Sequence, residues 1–578
     1  MQGQKYFCPL YLNIQKEQSF MDGIVIFAVV ACGILLIYLF GIRDRIVFEK
    51  RLTKYLKDNY GNAPKREYKS DELDHLRGYY DNHKEDFQID DITWNDLNMD
   101  GVFARMNYCL SASGEEYLYY MLRTPKTEDD FDDIEKKVSF FSENEEARIK
   151  YQLIFSRIGR GTRFSIYDYL NLLGDALDSS NAKHYLMIAL IVLAVIVCFF
   201  NFAIGFLAVV ALCIINIVLY FKDKNKIEPY LATYRYVLKA INSVNYFSKA
   251  EYPEVSDDIY ALRIAASNLK GFSKGSYILM SPSRMNSGSD PFNMLLDYLR
   301  ILLHLDIIKF NKMYKFIMEK KDDLEKIITT LGRLEAFISV ACFRESVKEN
   351  YSIPDFSAAS YSAKDLIHPL IEEPVPNTVT TDKGILITGS NASGKSTFLK
   401  TAAINAVLSQ SIHTSLASEY KAPLYRIYSS MALNDNIFEG DSYYIVEIKS
   451  MKRIIDASKE TTKAPVLCFV DEVLRGTNTV ERIAASTEIL KSFANSGVLC
   501  FAATHDIELT TLLDEYYNLY HFEGNVTDND VHFDYMIKDG AAINRNAIKL
   551  LNVLGYDEGI VERAQELADK FTKTGVWA

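Results

Sequence analysis

A glycine-rich stretch over residues 389–397 constrains the fold of this chain more than any other feature. It reads Gly-Ser-Asn-Ala-Ser-Gly-Lys-Ser-Thr, directly after an apolar run that ends near Ile387. Glycines let backbone N–H groups turn inward around an anion, and a helix opening here presents its positive N-terminal end. The stretch fits the phosphate-cradling pattern G-x-x-x-x-G-K-[ST] and predicts a strand–loop–helix unit in an α/β sheet. The residues predicted to bind ATP are Gly389, Ser390, Asn391, Ala392, Ser393, Gly394, Lys395, Ser396 and Thr397.

A second apolar run, Val466–Val470, ends in two carboxylates, Asp471 and Glu472. Magnesium-assisted phosphoryl transfer needs such an arrangement, with Ser396 and Asp471 as the predicted Mg²⁺ ligands. Glu472 is placed to orient or deprotonate the attacking water. A third apolar strand ends at His505, for which the sequence favours γ-phosphate sensing over a structural role.

Two apolar runs are too long for ordinary core helices. Residues 23–42 and 185–221 contain no charged side chain over 20 and 37 positions, respectively. The first suits one crossing of a ~30 Å hydrocarbon layer, and the second suits two helices joined near Asn201. The alternative is a hydrophobic hairpin buried in a soluble core, against which the lack of any amphipathic period argues.

Basic residues follow the apolar runs, including Arg43–Lys54 and Lys222–Lys226. The positive-inside tendency then puts the N-terminus outside and the ATPase in the cytoplasm. The sequence therefore predicts a multi-pass membrane protein that contacts the lipid bilayer.

Charge and cysteine usage exclude some other functions. The net charge is −12, so nucleic-acid binding would need a local basic face. The candidates are Arg157, Arg160 and Arg163, and the lysines at 312, 315, 320 and 321, although such runs are usually solvated faces. The eight cysteines are scattered without a C-x-x-C pair, which argues against a zinc site or a disulfide framework.

Taken together, these motifs resemble those of the MutS family, the dimeric ABC-type ATPases of mismatch repair and their paralogues. The matching segments are Thr388–Thr397, Asp471–Thr479 as D-E-x-x-R-G-T-x-T, Ala503–His505, Gly440–Ser442 as the G-x-S motif, Asp91–Leu97, and Asp539–Ala564. The resemblance implies a homodimer with composite ATP sites, in which Ser442 of one subunit completes the site of the other. It places the adenine near Pro374–Asn377, where the sequence offers no aromatic platform.

The chain also departs from this family. The mismatch-reading domain of the repair members has no room before Asp71, and a membrane anchor stands there instead. The membrane hairpin interrupts the helical core, where the repair members insert a DNA clamp. The resemblance therefore implies a membrane-anchored paralogue without the mismatch-recognition domain.

The predicted fold class is an α/β P-loop NTPase (ABC-type) domain with a mainly α-helical MutS-like core and three transmembrane helices. The predicted order is an extracytoplasmic N-terminus (1–22), transmembrane helix 1 (23–42), a juxtamembrane connector (43–70), the first part of the helical core (71–183), transmembrane helices 2 (185–200) and 3 (203–221), the second part of the core (228–350) and the ATPase domain (351–578).

Three functions stay open at this point. The first is a membrane-tethered ATPase acting on DNA, and the second is a nucleotide-driven switch acting on a protein or membrane partner without DNA. The third is a transporter, which is disfavoured because the apolar runs carry almost no ionisable residue to mark a pathway.

Overall fold

The computed structural model describes residues 39–578 except 41, 161–164, 166, 168–179, 273–297, 391–392, 432–442, 461–462, 527–530, 543–547, 549–550, 552–554, 575–576 and 578. The chain divides into two compact units, residues 1–60 and 61–578. In the first unit, residues 42–58 form a helix. The predicted transmembrane helix 23–42 lies, apart from its last residues, outside the described part of the chain.

The second unit is mainly helical up to residue 346. Its helices in this part are α1 (Ser70–His75), α2 (Arg77–Asn82), α3 (Asp91–Asp96), α4 (Met99–Met106), α5 (Ala112–Arg123), α6 (Asp132–Glu143), α7 (Glu145–Ile158), α8 (Ala182–Phe200), α9 (Phe202–Phe247), α10 (Ser256–Asn268), α11 (Leu305–Glu319) and α12 (Lys321–Ser346). Side-chain oxygens cap several of them; Ser111 accepts from Gly114 N–H at the start of α5, and Asn144 from Ala147 N–H at the start of α7.

The helix α12 is the central element of this helical core. It packs against α5, α6 and α10, and most of its length is buried. Glu335 of α12 accepts from the backbone N–H of Ser111 at 3.1 Å and so satisfies the otherwise unpaired start of α5. Because Glu335 is fully buried, desolvation raises the pKa of its carboxyl to about 8.

An apolar hairpin, α8–α9, projects from the core. Asn201 lies between the two helices and accepts from Ile204 N–H at 3.2 Å, which caps α9. At Gly205 the helices touch, since a Cβ there would lie 2.4 Å from the backbone N of Cys198. α9 continues without a break to Phe247, so the predicted boundary between 221 and 228 falls inside one helix of 46 residues.

Two helical segments of the described chain, Ala182–Phe200 and Phe202–Glu228, are long and apolar enough to cross a membrane. Only 17% of the most apolar stretch of the first segment, and 11% of that of the second, is buried. A core helix of a soluble protein can pass the same test of length and composition but would be mostly buried. The described residues thus contain two of the three predicted spans, and the third, 23–42, lies mostly outside them.

From residue 361 the chain alternates strands and helices. The elements are β1 (Tyr361–Leu366), β2 (Asn377–Thr381), β3 (Gly384–Thr388), α13 (Lys395–Ile412), β4 (Glu419–Lys421), β5 (Arg426–Ser430), α14 (Tyr443–Ser458), β6 (Val466–Asp471), α15 (Thr479–Asn495), β7 (Leu499–Ala503), α16 (Glu508–Leu512), β8 (Tyr517–Val526), β9 (Val531–Asp539) and α17 (Glu558–Thr574). Three strands form a small antiparallel sheet in the order β2-β1-β4, and six form a mixed sheet in the order β5-β6-β7-β3-β8-β9.

The large sheet is parallel except for β9, which pairs antiparallel with β8 at its edge. Its inner strands are continuous apolar runs, as expected for strands covered on both faces. The register pairs Ala503 with both Asp471 and Ile387. The carboxyl ends of β3, β6 and β7 therefore meet at one edge, the usual place for a ligand in such sheets.

The helical core meets the sheet domain at Arg344, near the end of α12. Its guanidinium donates to Glu135 of α6 and to the carbonyls of Ile412 and His413, at 2.8 Å for the latter. These carbonyls belong to the C-terminal end of α13, where helix carbonyls lack internal partners. The His413 ring stacks on Phe131 with centroids 4.3 Å apart. The junction thus joins α13 to two core helices.

Candidate functional site

The loop between β3 and α13 has the shape of an anion cradle. Gly389 has φ 144° and Gly394 has φ 110°, conformations that favour glycine. A Cβ at Gly389 would lie 2.5 Å from the carbonyl oxygen of Phe522, so a side chain there would displace the neighbouring strand. Ser393 Oγ donates to Ser390 O at 2.7 Å and holds the turn. Asn391 and Ala392, also predicted here, lie outside the described residues.

Lys395 is the first residue of α13 and is only 4% exposed. Its Nζ donates to Gly389 O at 2.8 Å and to Ser390 O at 2.9 Å, so the ammonium lies inside the loop. Burial lowers the pKa of Lys395 to about 8, although Asp471 and Glu472 favour its charged form. A buried cation at a helix N-terminus is suited to polyphosphate.

Ser396 and Thr397 follow in the first turn of α13 and are exposed. Their backbone N–H groups belong to the unpaired start of an 18-residue helix. Free N–H groups and the helix dipole attract an anion to this end. Those predicted phosphate-binding residues that the structure describes therefore lie around one loop.

Glu472 follows β6 at the edge where the strands end. Its backbone adopts φ 60°, a strained conformation for a non-glycine residue, and its N–H donates to Ala503 O at 2.9 Å. This conformation places the carboxylate beside His505, with 2.7 Å between Oε1 and Nε2, and beside Arg475. Burial works to raise the pKa of Glu472, but the His505 hydrogen bond and the nearby positive charges lower it overall. The carboxylate is thus held ionised.

His505 is positioned by the residues on either side of it. Thr504 N–H donates to Ile387 O at 2.9 Å, which ties the end of β7 to β3. Asp506 pairs with Arg482 of α15, with Nε and Oδ2 2.8 Å apart. The imidazole therefore faces Glu472 from a fixed loop.

Sequence reasoning missed a buried carboxylate that holds the segment after β6. Glu447 of α14, 4% exposed, accepts from Arg475 N–H at 3.2 Å and Gly476 N–H at 3.4 Å. Gly476 packs against Tyr444, where a Cβ would lie 2.8 Å from that of the tyrosine. No motif marks Glu447; only its place near the start of α14, after the G-x-S segment, could have suggested it. Arg475 itself contacts the Glu472 carboxylate through its guanidinium.

A second missed residue is Tyr535 of β9. Asn377 donates to Tyr535 O at 3.1 Å and accepts from Ile537 N–H at 2.7 Å, which ties β9 to β2. The Tyr535 ring is 46% exposed, and its Cδ1 would lie 3.3 Å from a Cβ at Gly394. An exposed aromatic ring therefore borders the phosphate loop, 158 positions after Asn377 in the sequence.

Ser442, predicted to act across a dimer, lies outside the described residues, as does the rest of 432–442. In the described part of the chain, no group of three or more His, Cys, Asp or Glu could hold a metal alone. The hydroxyl of Ser396 and the carboxylate of Asp471 are oxygen donors of the kind that Mg²⁺ takes together with water and substrate phosphates. The site therefore fits a nucleotide-bound magnesium ion.

Two arginines of the cluster considered for DNA, Arg157 and Arg160, make contacts within the protein. Arg160 pairs with the buried Glu115 at 2.8 Å and donates to Cys109 O at 2.6 Å. Arg157 lies over the ring of Tyr246, 4.8 Å from its centroid. Arg163 lies outside the described residues. These contacts favour a structural role for Arg157 and Arg160.

Comparison with known proteins agrees with this geometry. Residues 385–572 match the family described as MutS domain V. The chain is 29% identical over 271 residues to the DNA mismatch repair protein MutS of Thermosipho melanesiensis, and 30% over 269 residues to that of Natronomonas pharaonis. These matches cover 45% and 44% of this chain and 32% and 31% of the relatives.

A third protein of that name, from Leptospira interrogans, is 30% identical over 306 residues, which is 48% of this chain and 35% of the relative. The matches thus span about a third of the length of these relatives. They fall on the half of the chain that carries the phosphate loop, Asp471, Glu472 and His505. Residues 385–572 therefore belong to the MutS domain V family, and the chain is similar over 44–48% of its length to proteins named DNA mismatch repair protein MutS.

Proposed function

We propose that this protein is a membrane-anchored, Mg²⁺-dependent ATPase of the MutS type, in which ATP binding and hydrolysis drive a conformational switch of a dimer. One observation carries the proposal. Lys395, Glu472 and His505 converge at one edge of the large sheet, beside a glycine loop shaped for phosphate. Sequence spacing suggested the same set before the fold was known.

Each residue has a role that follows from its position. The N–H groups at the start of α13 and Lys395 bind the phosphates. Glu472 is kept ionised and either accepts a proton from the attacking water or orients it. His505 holds the Glu472 carboxylate in place and senses the γ-phosphate. Ser396 and Asp471 would hold Mg²⁺, which neutralises charge developing on the phosphates.

Tyr535 is the proposed adenine contact. Its exposed ring borders Gly394 and is tied to Asn377, next to the segment where the adenine was expected. Aromatic stacking on a base contributes ~1–3 kcal/mol. Tyr535→Ala should raise the Kd for ATP about tenfold while Tyr535→Phe leaves it near wild type, as measured by titration with a fluorescent ATP analogue. Equal affinities for all three would remove Tyr535 from the site.

The proposed dimer depends on Ser442. We propose that Ser442 of one subunit completes the ATP site of the partner subunit. Ser442→Ala should lower hydrolysis chiefly by weakening the ATP-bound dimer. Mixing Ser442→Ala with Lys395→Ala subunits leaves at most one working site per heterodimer. Full wild-type turnover in that mixture would contradict composite sites.

The apolar hairpin supports the membrane anchor. Its exposed aliphatic and aromatic surface, including Leu186 at 60% and Val218 at 62%, has no reason to face water. We propose that α8 and the first part of α9 cross the bilayer, with residues 23–42 as a further crossing and the N-terminus outside. Lys222–Lys226 then lie on the cytoplasmic side with the ATPase.

We propose that the conformational switch acts on DNA, because relatives of this chain are named as DNA mismatch repair proteins. The alternative is a protein or membrane partner, favoured by the membrane anchor and by the internal contacts of Arg157 and Arg160.

Steady-state ATP hydrolysis by the detergent-solubilised full chain separates the two. Homoduplex, mismatched and branched DNA are added at two salt concentrations, with Glu472→Gln as background. Stimulation that fades with salt supports DNA, because phosphate contacts are salt-sensitive. An active enzyme indifferent to all three DNAs supports the alternative, and no hydrolysis above background would refute the ATPase itself.

A further inference from the structure

We propose that the base of the α8–α9 hairpin and one face of α11 together bind the headgroups of anionic phospholipids. The binding surface consists of Lys222, Lys226 and Lys312, called the basal lysine cluster here. The inference rests on the proposed insertion of the hairpin into a membrane. It goes further by naming a lipid class and by adding α11, a helix that the sequence did not connect with the membrane.

Helix geometry puts the lysines of α9 at headgroup level. α9 begins at Phe202, and 20 residues at 1.5 Å each span a ~30 Å hydrocarbon layer. That length ends at Phe221, so Lys222 is the first charged residue of α9 to leave the layer. Lys226 lies one turn further and is also exposed.

α11 is brought to the same level by contacts with the start of α8. Asn311 donates to Asn181 Oδ1 at 2.9 Å, and Asn181 donates to Ile308 O at 3.3 Å. Lys312 Nζ lies 5.8 Å from the centre of the Tyr185 ring. Lys312 is therefore a neighbour of the hairpin base although it is 90 residues beyond Lys222.

Buried polar groups fix the amino end of α11 to the hairpin. His304 is 1% exposed; its Nδ1 lies 2.7 Å from Nδ1 of His184, and its Nε2 lies 3.1 Å from the carbonyl oxygen of Asn216. Tyr220 donates to Asp306 at 2.7 Å. Polar contacts of this kind hold elements together where water is excluded. These contacts fix α11 against the hairpin, so the fold itself places Lys312 beside the hairpin base.

The carboxylates at this level are already used by other lysines. Asp223 pairs with Lys183 at 2.9 Å, and Asp306 lies 3.5 Å from Lys224. Within the described part of the chain, no ion pair joins Lys222, Lys226 or Lys312 to a carboxylate. The cluster therefore keeps positive charge that an external anion can neutralise.

Repulsion between Lys309 and Lys312 on α11 also favours an external anion at this surface. Partial burial and the charge of Lys312 lower the pKa of the neighbouring Lys309. A bound phosphodiester near Lys312 would relieve that repulsion. The surface beside the cluster is apolar and exposed, with Leu186 and Val218 facing outward. An anion with acyl chains matches both parts, whereas a nucleic acid would match only the lysines.

The test compares two double variants with the same change in charge. Lys222→Gln with Lys312→Gln removes two of the three lysines of the cluster, and Lys320→Gln with Lys321→Gln removes two lysines at the junction between α11 and α12. Each full-length protein is reconstituted into vesicles of two parts phosphatidylcholine to one part phosphatidylglycerol. After mild detergent extraction, mass spectrometry gives the ratio of the two lipids that co-purify.

Wild type and the Lys320/Lys321 variant should retain phosphatidylglycerol several-fold above the bulk ratio. The Lys222/Lys312 variant should fall to near the bulk ratio, since each lysine near an anionic surface contributes roughly fivefold. Equal retention by all three proteins would overturn the lipid site. Retention of the protein in the vesicles after alkaline carbonate extraction reports membrane insertion separately. Release of the protein by carbonate would overturn the proposed membrane anchor itself. Loss of short-duplex binding with unchanged lipid retention would assign the cluster to nucleic acid instead.

Discussion

The edge of the large sheet and the base of the hairpin both gather charged and polar side chains, but they do so in opposite ways. At the sheet edge, Lys395, Glu472 and His505 come from three short motifs, and strand register and left-handed backbone place them at an edge that is partly open to solvent. At the hairpin base, His184 and His304 come from distant segments and satisfy one another in a closed contact. An open arrangement serves chemistry, whereas a closed one fixes one element against another.

The largest effect should come from the open region. Glu472→Gln removes the base but leaves the phosphate loop, so kcat should fall ~10²–10⁴-fold with ATP binding retained. Single-turnover hydrolysis and ATP titration measure the two separately. His505→Gln is the comparison variant, because it leaves the Glu472 carboxylate in place while removing its imidazole partner, and it should cost less. Undiminished turnover by Glu472→Gln would remove that residue from catalysis.

The junction at Arg344 should respond as a closed region does, by losing stability. Arg344→Met removes the guanidinium that donates to Glu135 and to the end of α13, and leaves Glu135 its contact with His413 Nδ1 at 3.0 Å. Loss of one partner of such a buried pair costs about 3 kcal/mol or more. Chemical denaturation of the solubilised protein measures the change. Arg263→Met, which breaks an exposed pair with Glu251, should cost under about 1 kcal/mol. Equal losses would show that the Arg344 contacts do not carry the junction.

The helix contact at Gly205 tests the packing of the hairpin itself. Gly205→Leu forces a side chain against Cys198 and should cost about 1–3 kcal/mol. Ala203→Leu adds the same bulk at an exposed position and should be nearly neutral. The midpoint of thermal unfolding in detergent should therefore fall for the first variant and stay for the second. Two equal midpoints would mean that the helices do not meet at Gly205.

The smallest expected effect is a pH dependence of nucleotide affinity. Below its pKa of about 8 Lys395 is a cation, and above it the ammonium becomes neutral. The Kd for a non-hydrolysable ATP analogue should thus rise above pH 8, by at most ~tenfold per pH unit. Without nucleotide, stability should rise with pH between 8 and the ordinary lysine pKa, because the unfolded chain binds that proton more tightly. A flat binding profile would contradict the buried position of the ammonium.

Sequence alone predicted the parts of the site that depend on local chemistry. The strands at Gly384, Val466 and Leu499 were predicted because short apolar runs bounded by turns are visible in the chain, and the loop and carboxylates follow them directly. The hairpin was visible because residues 185–221 form a long run without charge that is divided near Asn201. Its second transmembrane span was predicted to end at 221, where charge begins at Lys222, and the helical backbone continues beyond that point through charged residues to Phe247.

What the sequence did not reveal depends on contacts between distant residues. Tyr535 and Glu447 have no motif of their own, and only the pairing of β9 with β8 and the packing of α14 bring them to the site. The surroundings of Arg160 and Lys312 were also beyond reach, because a basic residue in a sequence does not show whether a buried carboxylate or an aromatic ring of an apolar helix lies beside it.

The length of α9 has a mechanical consequence. At 1.5 Å per residue its 46 residues form a rod of ~69 Å, of which the apolar part is more than half. Pro229, immediately after that part, has no N–H to donate, so the carbonyl of Asn225 has no partner in the helix ladder. Small rotations of the core can therefore either tilt the whole rod or bend it at one point. Replacing Pro229 with alanine would stiffen that point and shift the balance from bending to tilting.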